Sequence, residues 1–112
     1  MVDLTEADWK CLQKLKSILL ERLCERINQK TLGILNDPSK TAYERYLAIF
    51  EKTRRDDRDV ARAFDDWRRS RLGTIILELN RQGLFTESDL QSLGPEIEEY
   101  IALCQPIKKS RR

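Results

Sequence analysis

Residues 41–83, "TAYERYLAIFEKTRRDDRDVARAFDDWRRSRLGTIILELNRQG", decide the fold. Thr41 followed by Glu44 forms a capping box, the two-residue signature of a helix start. From there Tyr43, Tyr46, Leu47, Phe50, Val60, Ala61, Phe64, Trp67, Leu72, Ile75, Ile76 and Leu79 recur at steps of three or four, the period of one helical face. No proline or glycine interrupts residues 41–72. An unbroken helix of about 40 residues would run to about 60 Å, longer than a compact domain of this size. The stretch therefore breaks near residues 53–58, or it projects and finds a partner. Gly83 supplies the residue that ends it.

Outward from this segment the pattern stays helical. On the N-terminal side, Thr5 and Asp8 form a shorter-armed capping box. Trp9, Leu12, Leu15, Leu19, Leu23 and Ile27 then make one apolar stripe on a helix of about six turns. Pro38 in "NDPSK" breaks the chain, because its ring disfavours helix at Asp37. On the C-terminal side, Thr86 and Asp89 start a short helix, and Pro95 opens another with Glu96, Glu98 and Glu99 at its positive end. No stretch alternates with period two. The expectation is an all-α chain of four or five helices, with a long N-terminal and a long central helix, in a dimeric bundle. One domain covers residues 1–105, and residues 106–112 form a basic, disordered tail.

Composition narrows the chemistry. Of 112 residues, 40% are hydrophobic and 36% charged, which suits an extended helical shape with much surface per residue. No apolar run is long enough for a membrane span, and "MVDLTEADWK" lacks the basic and apolar regions of a secretory leader. Cys11, Cys24 and Cys104 are odd in number and have no CxxC spacing, so a reduced, cytoplasmic protein is expected. The chain has no histidine. That removes Ser-His and Cys-His catalysis and the usual zinc sites. Neighbouring carboxylates such as Asp56 and Asp57 diverge by about 100° on a helix, so they do not converge on one substrate. No catalytic, metal or cofactor site is expected.

Residues 51–71 hold fourteen charged side chains, eight basic and six acidic. Much of this is the wet side of a helix, with Arg55–Asp59, Arg62–Asp66 and Asp65–Arg69 spaced to pair. The apolar stripe nevertheless lapses from Lys52 to Asp59, and Asp57 stands a heptad from both Phe50 and Phe64. Arg54 and Arg58 are placed to neutralise it, either along the helix or across a dimer. A charge inside an apolar seam is a device that sets register between subunits. The candidate seam is Leu12, Leu19, Leu23, Ile27, Phe50, Asp57, Phe64 and Ile76. Tyrosine, tryptophan and arginine dominate interface energetics, so Tyr43, Tyr46, Arg54, Arg58, Trp67 and Arg68 are the candidate partner-binding residues.

Residues 68–93, "RRSRLGTIILELNRQGLFTESDLQSL", resemble the C-terminal part of the cyanobacterial fluorescence recovery protein family, through Arg68, Ser70, Leu79, Gly83, Leu84, Asp89, Leu90 and Leu93. The resemblance covers about a quarter of the chain. It implies a helical homodimer that binds a carotenoid photoprotective protein without making bonds. The family's central segment carries a tryptophan and a His-Asp pair before a key arginine; here it reads "YERYLAIFEKTRR", and Arg54 aligns with that arginine only across a gap. The reading is thus a small non-enzymatic interaction or regulatory module, partnered by itself and by another protein. The alternative is a nucleic-acid-associated protein using the arginine-rich helix and the basic tail. Interspersed acidic residues, and five carboxylates with no base across residues 86–99, speak against it.

Overall fold

The computed structural model describes residues 3–104. It consists of five helices and no strand among the described residues: α1 Glu6–Leu35, α2 Ala42–Phe64, α3 Leu72–Arg81, α4 Glu87–Ser92 and α5 Pro95–Cys104. A single 3-10 turn, Arg69–Arg71, leads into α3. The all-α expectation holds. The basic tail lies outside the described residues.

All three threonine starts read from the sequence form reciprocal caps. Thr5, Thr41 and Thr86 each accept a bond from the backbone N–H three residues on. The carboxylates of Asp8, Glu44 and Asp89 in turn accept the threonine backbone N–H, each at 2.9 Å. Two of the four N–H groups left open at each helix start are thereby satisfied.

The central segment breaks later than expected. α2 runs unbroken through residues 53–58, and the chain leaves the helix at Asp65, reaching extended backbone at Arg68 (φ −134°, ψ 149°). The break is held by Asp66. Its carboxylate takes a two-pronged bond from Arg68, at 2.6 and 2.8 Å, and its carbonyl accepts Arg71 at 3.0 Å. Two local arginines thus do what no proline or glycine in the segment could. The turn lets the apolar faces of both α2 and α3 reach the same core.

That core is one-sided along the molecule. Trp9, Leu12, Leu19 and Leu23 of α1 meet Phe64 of α2, Leu72, Ile75, Ile76 and Leu79 of α3, then Leu84, Leu93 and Ile97. Two arginines of α1 fasten the far side. Arg22 bonds the Leu84 carbonyl and the Asp89 carboxylate, both at 2.6 Å. Arg26 donates to the Gln82 and Gly83 carbonyls at 2.5 and 2.9 Å, satisfying acceptors just past the end of α3. Gly83 itself, at φ 68°, completes a Schellman turn: Leu84 N–H bonds Leu79 O at 3.0 Å and Gly83 N–H bonds Asn80 O at 2.9 Å.

Beyond this body, α1 and α2 continue as a two-helix hairpin without a third layer. From Cys24 to Glu51 no residue is fully buried. The molecule measures 53 × 30 × 20 Å, with a radius of gyration of 16.6 Å, against about 13 Å for a compact chain of this length. Lys52 crosses the hairpin and is buried. Its ammonium donates to the Ile27 carbonyl, the Thr31 hydroxyl and the Asp56 carboxylate. No helix among the described residues is long and apolar enough to cross a membrane.

Candidate functional site

The free end of the hairpin is the candidate site. Its loop is built by Asp37, whose carboxylate accepts the Ser39 hydroxyl and N–H; these bonds hold its pKa below the ordinary aspartate value. Arg45 then ties the two helices together by donating to the carbonyls of Lys40 and Leu35, each at 3.2 Å. Tyr43, Tyr46 and Phe50 are 68%, 63% and 52% exposed, and Leu32, Leu35 and Leu47 are exposed beside them. The rings of Tyr43 and Tyr46 lie 6.4 Å apart and nearly parallel. On one flank Leu35, Ala42, Tyr46, Ile49 and Phe50, with Arg45, line an apolar groove of about 500 Å³.

The arginines follow on the same helix. Arg54 lies over the Phe50 ring, 5.8 Å from its centre. The pairs expected at Arg55–Asp59, Arg62–Asp66 and Asp65–Arg69 do not form. Arg62 pairs with Asp59 at 2.9 Å, Arg68 and Arg71 share Asp66, and Arg69 reaches Glu6 at 3.1 Å. Backbone geometry explains two of the three: Asp65, Asp66 and Arg69 lie past the end of α2, where helical spacing no longer applies, while Asp59, inside α2, is taken by Arg62 instead of Arg55. Arg54, Arg55, Asp57 and Arg58 face solvent with no ion pair among the described residues.

The candidate residues therefore fall into three places. Tyr43, Tyr46, Arg54 and Arg58 are gathered on α2. Arg68 is engaged with Asp66 at the other end of that helix. Trp67 is half-buried, stacked on Phe64 at 5.7 Å and near Trp9 at 6.1 Å, with Lys16 5.0 Å above its ring. It packs against the core rather than standing free for a partner. The candidate seam divides as well. Leu12, Leu19, Leu23, Phe64 and Ile76 are sealed inside the chain's own core, and Ile27 packs against it. A second copy has no access to them, because they are buried in one core with residues of α2, α3 and α5. Phe50 and Asp57 remain open, and Asp57 takes no bond from Arg54 or Arg58, because all three point outward.

The sequence reading placed Leu47 on the apolar face of its helix but missed Leu32 and Leu35. Their signal was apolar residues lying off the single stripe of α1, which is what a helix carries when it has two surfaces to cover. Among the described residues no group of three or more His, Cys, Asp or Glu side chains could hold a metal ion. Comparison with protein-family models, curated proteins and solved structures finds no match.

Proposed function

We propose that this chain is a small non-enzymatic protein–protein interaction module that acts as a homodimer, in a regulatory role. The apolar end of the hairpin carries the reading. Each aromatic side chain brings about 150–250 Å² of surface. With more than half of three such rings exposed, and three leucines beside them, the patch is on the order of 600 Å². A patch that large is at the upper end of what monomers leave uncovered and approaches the roughly 800 Å² each partner contributes to a standard interface. A regulator similar to the fluorescence recovery proteins is one member of this class, supported by residues 68–93 alone.

The test is sedimentation equilibrium at tens of micromolar. The wild-type chain sediments as a dimer, and Tyr46→Ser with Phe50→Ser weakens association at least about tenfold, the order expected for losing central aromatic contacts. A wild-type chain that stays monomeric overturns the reading. One observation favours the nucleic-acid alternative: Arg54, Arg55 and Arg58 hold no carboxylate among the described residues. It predicts an oligonucleotide shift that falls steeply between about 50 and 200 mM salt. Glu51 and Asp57 on the same helix oppose it.

A further inference from the structure

The groove on the flank of the hairpin is apolar along its length and carries a fixed charge at one end. Leu35, Tyr46, Ile49 and Phe50 form its surface. Arg45 lines the end nearest the loop, and Thr53, eight residues on, lines the other, about 12 Å away along the helix. No carboxylate is among the residues that line it. The Arg45 guanidinium is held by two bonds, from Nε to the Lys40 carbonyl and from Nη1 to the Leu35 carbonyl. Neutral carbonyls fix its direction and leave its charge unanswered. Its Nη2 donates to no group among the described residues. Asp37 lies within electrostatic reach, but its carboxylate is taken by Ser39 and forms no ion pair with Arg45.

We propose that this groove binds a small anionic amphiphile, an aliphatic carboxylate of medium chain length. The carboxylate meets Nη2 of Arg45, and the chain lies along Tyr46, Ile49 and Phe50 toward Thr53. A volume of about 500 Å³ is that of a small-molecule site, and an apolar lining with one placed polar group is the usual composition of such sites. A guanidinium already held in place loses little further freedom on binding, and its bond to a carboxylate is charge-assisted. The same groove of a second copy brings another Arg45 and no carboxylate, so it leaves the charge unanswered. An acidic helical peptide fits less well, because Asp57 stands one turn past Thr53 on the same helix and repels its carboxylates. The proposal goes beyond the homodimer reading and does not depend on it.

Octanoate, with 1-octanol as its uncharged counterpart, tests the site. Binding is read as a rise in Tm, which grows with ligand concentration over Kd. The melts are run at a chain concentration where sedimentation shows only monomer, so the result is independent of association. Octanoate gives the same rise as octanol at about one-tenth the concentration, the order of one hydrogen bond to a charged group. Arg45→Gln removes that difference. Because this change also unties the hairpin, Ala42→Phe supplies a second check. Ala42 lines the groove and is exposed, so the added ring fills the space while both Arg45 bonds remain. It abolishes the octanoate effect, measured against the variant's own Tm. Octanoate and octanol acting alike on the wild-type chain, or an octanoate effect that survives Ala42→Phe, overturns the proposal. So does no rise in Tm at all; a dimer at higher concentration then assigns the groove to the second copy and leaves the homodimer reading standing.

Discussion

The Lys52 ammonium of α2 lies 3.1 Å from the Ile27 carbonyl of α1, at the point where the apolar core has given out and the hairpin runs on alone. The Thr31 hydroxyl at 3.0 Å and the Asp56 carboxylate complete its three acceptors. A lysine this buried is tolerated only when every donor is used. It replaces hydrophobic packing with polar bonds that have fixed directions. Lys52→Ala leaves Asp56 and the Ile27 carbonyl with one partner fewer and should cost about 2–3 kcal/mol, lowering Tm by roughly 10 °C or more. Thermal denaturation of the single variants and of the Lys52→Ala, Asp56→Asn pair checks it. The pair should cost clearly less than the two singles added, since the two groups share one bond.

Acid should weaken the joint between α1 and α4. Burial pushes the Asp89 carboxyl up, but the Thr86 backbone N–H and the Arg22 guanidinium outweigh it, and its pKa ends below the ordinary value. A carboxylate whose pKa falls on folding lends stability above its unfolded pKa, about 3.9, and loses it as pH drops through the folded value. Glu78 is shifted in the same direction: burial raises it, and Arg81 and Gln82 lower it further than burial raises it. Urea melts between about pH 7 and pH 3 should show stability falling below about pH 4. Asp89→Asn should cost about 2 kcal/mol at pH 7 and flatten the acid limb of the profile.

How far the sequence could be read depends on where the deciding interaction is local. The three threonine caps, the Pro38 break and the Gly83 stop involve residues within five positions of one another, and all were legible. The break at Asp65–Arg68 is also local, but it rests on a carboxylate clamping two arginines, a motif without a reserved residue type. Its charges read equally well as helix surface. The stripe from Leu12 to Leu23 was visible as apolar, whereas its partner was not, because periodicity says that a face is covered and not by what. The stripe is buried in one core with residues of α2, α3 and α5, so a seam drawn there belongs to the monomer. The hairpin end shows the converse: Leu32 and Leu35 fall outside a one-stripe reading.

Two glycine substitutions should act in opposite directions. Gly33 lies in the last turns of α1, where an added methyl group would meet nothing within 4 Å. Gly33→Ala should stabilise by about 0.5–1 kcal/mol, since glycine is the more costly residue to order in a helix. Gly83 has equal space but sits at φ 68°. Gly83→Ala should destabilise by about 1 kcal/mol, because the left-handed conformation presses Cβ toward the carbonyl oxygen. Chemical denaturation of both variants checks the signs, and space alone would predict none.

Trp67 separates packing from recognition most cleanly. Its ring is parallel to Phe64, within 5°, and leans on Trp9, so it closes the open end of the core where the chain leaves α2. Removing it exposes both neighbours and leaves a void that the short turn cannot collapse to fill. Trp67→Ala should therefore cost about 3 kcal/mol and strongly reduce the near-UV circular dichroism from the stacked rings. Tyr43→Ala deletes an equally prominent aromatic side chain at the free end of the hairpin. Within one chain it should change stability by no more than about 0.5 kcal/mol, when melts are run at concentrations too low for association. Equal stability of the two variants would place Trp67 with the recognition residues and return it to the role its composition alone suggests.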